Sequence, residues 1–67
     1  MREFLIKKRK EQKLTQVDIA KKLGISRTTL YRYEIGKNQL NFEKINEYFK
    51  ILGYSLQALQ DDGVVNI

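Results

Sequence analysis

Cysteine, histidine, proline and tryptophan are all missing from this chain of 67 residues. Without Cys or His there is no disulfide, no zinc site built on thiolate or imidazole, no thiol nucleophile and no imidazole base. Glycine is scarce as well, at 4 residues. Together with the missing proline, this argues against disordered and collagen-like chains. No apolar run approaches the roughly 18 residues of a membrane span. The opening Met1–Lys8 has too short an apolar stretch for a signal peptide. These absences predict a soluble intracellular protein that needs no cofactor. A chain this short hides only ~60% of the surface its unfolded form exposes. One compact domain over residues 1–67 is expected, with no deep substrate cleft. Both common staples of small domains are lacking, so helix packing, oligomerisation or both must supply stability.

Acidic residues are in the minority, and the imbalance is uneven. Net charge is +5. Residues 1–37 carry 11 Lys/Arg against 4 Asp/Glu, whereas residues 38–67 carry 2 against 4. A basic half joined to a mildly acidic one suggests a polyanion-facing surface with a second role behind it. A lysine-rich solubilising surface would give the same charge.

The spacing predicts four helices. The first spans Glu3 to Lys13, a breaker-free stretch of helix formers with Leu5, Ile6 and Arg9 on one face. Thr15 is a good N-cap, and Asp18 can reach back in a near capping box. The second helix is expected over Gln16–Leu23, burying Ile19, Ala20 and Leu23, with Gly24 as its left-handed end. Ser26 caps a third helix from Arg27 to about Glu34 or Ile35, with Leu30 and Tyr33 facing inward. Gly36 stops it, and Lys37, Asn38 and Gln39 form a polar loop. Asn41 caps a fourth helix over about Phe42 to Leu52, with Phe42, Ile45, Tyr48, Phe49 and Leu52 on one apolar face. The tail after Gly53 has two readings. Ser55 could cap a fifth helix burying Leu56 and Leu59. Alternatively, the alternation from Tyr54 and the Asp62-Gly63 turn signal fit a short strand or hairpin.

Only Gly24-Ile25 separates the second helix from the third. A turn that short brings the two helices into contact at a sharp angle. Ala20 leaves room for close approach, and Ile19, Leu23, Ile25, Leu30 and Tyr33 plug the seam. Small or apolar residues and one glycine thus fall at seven ordered positions after Gln16. This is the pattern of the DNA-binding helix-turn-helix, here about residues 15–35.

Residues Leu14-Thr15-Gln16 through Glu34-Ile35-Gly36-Lys37 resemble the phage repressor/Cro-type (Xre-like) helix-turn-helix DNA-binding family. The likeness extends back to Arg9 and forward through Asn41–Leu52, over about four-fifths of the chain. Ile35, where family members often carry a polar residue, and the tail depart from it. The resemblance implies an all-α, lambda-repressor-like bundle of four to five short helices. It also implies dimeric binding to palindromic operators, transcriptional control, and a cytoplasmic place in a bacterial cell or phage-infected host. It suggests an ion pair between Arg9 and Glu34, and the positions agree: Arg9 shares the face of Leu5, and Glu34 adjoins buried Tyr33.

The exposed face of the third helix offers Arg27, Thr28, Tyr31 and Arg32 as base readers. A helix fits the major groove, and Arg can bond guanine O6 and N7 bidentately. Thr15 and Gln16 stand at a helix N-terminus, where free N–H groups favour phosphate. Lys37 and Asn38 follow the recognition helix as further phosphate candidates, and Thr29 is another. Each could instead be a solvated or capping residue. Lys7, Lys10 and Lys13 add long-range attraction. Tyr31 and Tyr33 are two apart on a helix and form no shared stacking platform.

The leading expectation is a sequence-specific regulator of double-stranded DNA, a repressor by occupancy, acting as a homodimer. The basic half must stay free for DNA, so dimer contacts are expected after Leu40, with Tyr48, Ile51, Tyr54 and Leu56 as candidates. A DNA-binding antitoxin, gripping a toxin through its acidic C-terminal half, is one alternative, and some antitoxin-type members of the family pair a C-terminal strand between subunits. A restriction-system controller is a variant of it. A protein-interaction module without DNA is a second alternative. Membrane-surface binding by the first helix is disfavoured by Leu5 and Arg9 sharing one core face and by the lack of Trp. An enzyme is not expected, because the carboxylates Asp18, Glu34, Glu43 and Glu47 come with no cleft, metal ligand set or nucleophile–base pair.

Overall fold

Among the described residues, three of the four helices start where a short polar side chain closes onto the backbone three residues ahead. In the computed structural model, which describes residues 1–54, the elements are α1 (Arg2–Glu11), α2 (Gln16–Leu23), α3 (Arg27–Glu34) and α4 (Phe42–Ile51). Thr15 Oγ1 accepts from the Asp18 N–H at 3.0 Å, and the Asp18 carboxylate accepts from the Thr15 N–H at 3.1 Å. That is a complete capping box. Ser26 Oγ accepts from the Thr29 N–H at 3.0 Å, and Asn41 Oδ1 from the Lys44 N–H at 2.8 Å. Each bond satisfies a donor that the first helical turn leaves without a partner.

All four helices end in the same way. The N–H of Leu14, Ile25, Lys37 and Tyr54 reaches back to the carbonyl of Arg9, Ala20, Arg32 and Phe49, respectively. The preceding residue is left-handed each time: Lys13, Gly24, Gly36 and Gly53. This six-to-one closure normally takes glycine, which has no Cβ to clash. Lys13 adopts it at φ 60° without that freedom. Helix α1 therefore stops at Glu11, two residues before the end its composition predicts.

The core draws on every helix: Leu5 from α1; Ile19, Ala20 and Leu23 from α2; Leu30 and Tyr33 from α3; Tyr48 and Phe49 from α4, with Leu52 just beyond. Helix α2 packs on both α3 and α4, and α1 lies against α3. Two bonds lock the ends together. Gln12 Nε2 donates to the Leu52 carbonyl at 2.7 Å, and Lys44 Nζ to the Leu23 carbonyl at 2.7 Å. No helix among the described residues is long and apolar enough to cross a membrane.

Two aromatic residues depart from the helical pattern. Phe42, expected on the buried stripe of α4, is 70% exposed. It is the first residue after the Asn41 cap, and the stripe is filled from Ile45 onward. Phe4, which the periodicity does not single out, lies against the C-terminal end of α4 instead. Its ring stacks on Phe49 at 5.9 Å between centroids and meets Tyr54 edge-on at 5.5 Å. The strand, hairpin or fifth helix considered for the tail, and Leu56 with it, lie outside the described residues.

Candidate nucleic-acid interface

The site begins with the three-residue turn between α2 and α3. Gly24 and Ile25 close the end of α2, and Ser26 opens α3 at once. The first turn of α3 is therefore held by the seam of Ile19, Leu23, Leu30 and Tyr33, and its opposite face is left to solvent. Arg27, Thr28, Tyr31 and Arg32 are all exposed on that face. Their spacing of one, three and one residues keeps them on one side of a helix only ~12 Å long at 1.5 Å per residue.

Arg27 is not loose. Its Nη1 donates to Gln16 Oε1 at 3.3 Å. The Gln16 amide nitrogen donates in turn to Glu34 Oε1 at 3.1 Å. Glu34 collects three further donors: Arg9 Nη2 on Oε1 at 2.8 Å, Arg9 Nε on Oε2 at 3.0 Å, and Tyr48 Oη on Oε2 at 2.9 Å. Arg9 uses its remaining arm on the Leu14 carbonyl at 2.9 Å. The paired side chains of Arg9 and Glu34 are only 8% and 6% exposed. A buried carboxylate taking a bidentate guanidinium and two further donors is as fully satisfied as the group can be.

The titration behaviour follows from this packing. Burial pushes the Glu34 carboxyl up, but the hydrogen bonds from Arg9, Gln16 and Tyr48 and the Arg9 charge outweigh it, leaving its pKa below the ordinary value. Burial pulls Arg9 down, and the Glu34 bonds and charge more than reverse that. Tyr48 is pushed well up, by burial first and then by the neighbouring carboxylate. At neutral pH the cluster is a guanidinium, a carboxylate and a neutral phenol.

Other candidate residues are placed differently. Tyr48 is fully buried and bound to Glu34, so it is a core residue with no surface to offer a second copy. A helical stripe identifies a face, and here that face is spent on the chain's own core. Ile51 and Tyr54 are half-buried and pack on that core. The Thr15 hydroxyl is engaged in its cap, and Asp18 places a carboxylate at the same helix end. The backbone N–H of Thr15 holds that carboxylate below its usual pKa. Thr29 is half-buried, with its hydroxyl 2.8 Å from Ser26 Oγ. Lys37 is exposed. Asn38 is half-buried and accepts from Arg32 Nε at 3.4 Å. Sequence reasoning missed the bridging role of Gln16. Nothing in a local pattern marks it, because its partners lie 11 and 18 residues away.

A short α-helix fastened by a three-residue turn to a second one, with its polar face outward and its apolar face in a common core, defines a helix-turn-helix protein. The chain matches the helix-turn-helix family over residues 5–59, and it belongs to that family. It is 40% identical over 57 residues to the uncharacterized HTH-type transcriptional regulator YqaE of Bacillus subtilis (strain 168), covering 85% of this chain and 49% of that one. The chain thus spans about half the length of this curated relative. No solved structure matches it.

Proposed function

We propose that the protein is a sequence-specific transcriptional regulator of double-stranded DNA, a repressor that acts by occupying its operator. Helix α3 enters the major groove, where Arg27, Thr28, Tyr31 and Arg32 meet base edges. Lys37, exposed in the loop after α3, holds the flanking backbone. The observation that carries the reading is the outward face of α3. Four exposed side chains able to contact bases stand on a helix that its turn, cap and core hold in place. The relative's description as a transcriptional regulator supports it, and so does the basic N-terminal half.

Selection of bound duplexes from a random-sequence pool tests this. A palindromic consensus, footprinted on DNA flanking the protein's own gene, is the expected outcome. A pool that stays random after repeated selection refutes sequence-specific binding.

The active unit is a homodimer with contacts after Leu40, because one small reading head covers a single half-site. Ile51, Tyr54 and Leu56 remain its candidates, and exposed Phe42 adds apolar surface in that half. Sedimentation of the protein with its selected duplex should give two chains per operator. One chain per operator rules the dimer out.

A further inference from the structure

The loop that ends α3 is flanked by arginines on both sides. Gly36 donates its N–H to the Tyr33 carbonyl at 3.0 Å, and Lys37 and Asn38 both donate to the Arg32 carbonyl, at 2.8 and 3.2 Å. Residues 36–38 are thus folded tightly back on the recognition helix. On one side, Arg32 Nε reaches the Asn38 side chain. On the other, Arg2, from the first turn of α1, lies over Gly36. A Cβ at position 36 would stand 3.3 Å from Arg2 Nη1 and 3.4 Å from both Cζ and Nη2. Near-equal distances to three atoms of one planar group mean that the guanidinium presents its flat face to the glycine. Lys37 is the next residue in the chain after this glycine. Gly36 takes glycine because of its φ of 85°.

Arg2 is exposed, and among the described residues its side chain makes neither a hydrogen bond nor an ion pair. The acidic residue of this loop region, Glu34, is turned inward and consumed by Arg9, Gln16 and Tyr48. Glu3 follows Arg2 in the chain but forms no ion pair with it. The loop tip therefore carries three cationic side chains, from two separate helices and the loop itself, and among the described residues no carboxylate is bonded to Arg2 or Lys37.

We propose that Arg2 is a phosphate-binding residue of the DNA interface, acting with Lys37 as a clamp on one backbone phosphodiester of duplex DNA beside the groove that α3 enters. The proposal rests on the DNA-binding reading above and extends it to a residue of α1.

The test is the salt dependence of binding to a labelled mixed-sequence duplex and to a selected operator, for the wild type, Arg2→Gln and Arg2→Lys. Each phosphate contact contributes close to one unit to the slope of log K against log salt. Arg2→Gln should lower the slope by about one unit per bound chain, equally on both duplexes. Arg2→Lys should retain most of it. A side chain that only steadies the loop would lower the melting temperature and leave the slope unchanged. An unchanged slope in Arg2→Gln, with the wild type binding DNA, overturns this proposal alone. A wild type that binds no duplex at all sinks the DNA-binding reading and this proposal with it. Should Arg2→Gln fail to fold, the wild type decides by NMR. The Arg2 Nε–Hε signal should move when duplex is added, and one that stays put rejects the clamp.

Discussion

Tyr48, fully buried on α4, donates its hydroxyl to the same Glu34 oxygen that Arg9 Nε reaches, at 2.9 and 3.0 Å. One carboxylate at the end of α3 thereby ties together α1, α2 and α4. Because Gln16 passes the connection on to Arg27, the cluster that stabilises the fold also holds the first residue of the outward face of α3.

Breaking that tie should be costly. Arg9→Met leaves a buried carboxylate without its counter-charge and the Leu14 carbonyl without its donor. Removing one partner of a buried pair costs ~3–5 kcal/mol, a large part of the stability of a small domain. Tyr48→Phe deletes a single hydrogen bond to a charged group and should cost about 1.5–3 kcal/mol. Urea denaturation of both variants checks the order: Arg9→Met well below Tyr48→Phe, and Tyr48→Phe below wild type.

The same carboxylate sets the acid limit. Glu34 holds its proton more weakly folded than unfolded. Its contribution is therefore complete above the unfolded value of roughly 4.3 and is lost as pH falls through the lower, folded value. Stability should be flat in this respect near neutrality and fall below about pH 4. Tyr48→Phe removes one of the donors that depress Glu34, so the stability lost between neutral and acid pH should shrink. Denaturation curves at the two ends of that range, on wild type and variant, give the comparison. An equal loss in both would show that Tyr48 does not hold Glu34 down.

Arg27 and Lys37 should fail in different ways. Losing a bidentate base contact costs ~1–3 kcal/mol and relaxes preference at one position. Losing a phosphate contact weakens all sequences alike and reduces the salt slope by about one. Arg27→Ala should therefore change which operators bind, and Lys37→Ala only how tightly. Both are exposed, and neither should alter folding much. Binding to a panel of single-base operator variants at several salt concentrations separates them. If Arg27→Ala weakens every variant by one common factor, base reading belongs to Thr28, Tyr31 or Arg32.

Lys13 is an opportunity to stabilise the fold. A left-handed residue with a Cβ costs about 1–2 kcal/mol. Glycine removes that cost but gains about 0.5–1 kcal/mol of unfolded-chain entropy. Lys13→Gly should raise stability by up to ~1 kcal/mol, whereas Gly24→Ala, at φ 72°, should lower it. A melting temperature that drops in Lys13→Gly would mean that the lysine side chain itself contributes there.

Much of the architecture was legible along the chain because its causes are local. Thr15, Ser26 and Asn41 each bond a backbone group three residues away, so the helix starts can be read from short stretches of sequence. Gly24, Gly36 and Gly53 mark ends because left-handed closure needs no distant partner. The apolar period that puts Leu30 and Tyr33 inward also leaves Arg27, Thr28, Tyr31 and Arg32 outward. Lys13 shows the limit of such reading: a residue without glycine's freedom still turned left-handed, and α1 ended early. Depth and long-range partnership were decided only in three dimensions. Periodicity puts Phe42 and Tyr48 on one stripe of α4, but where the neighbouring helices lie leaves Phe42 exposed and buries Tyr48 completely. Phe4 found Phe49 and Tyr54 across the fold, and Gln16 found Arg27 and Glu34. A hydrogen bond between side chains far apart in sequence exists only once packing has brought them within about 3 Å, so no local pattern could announce it.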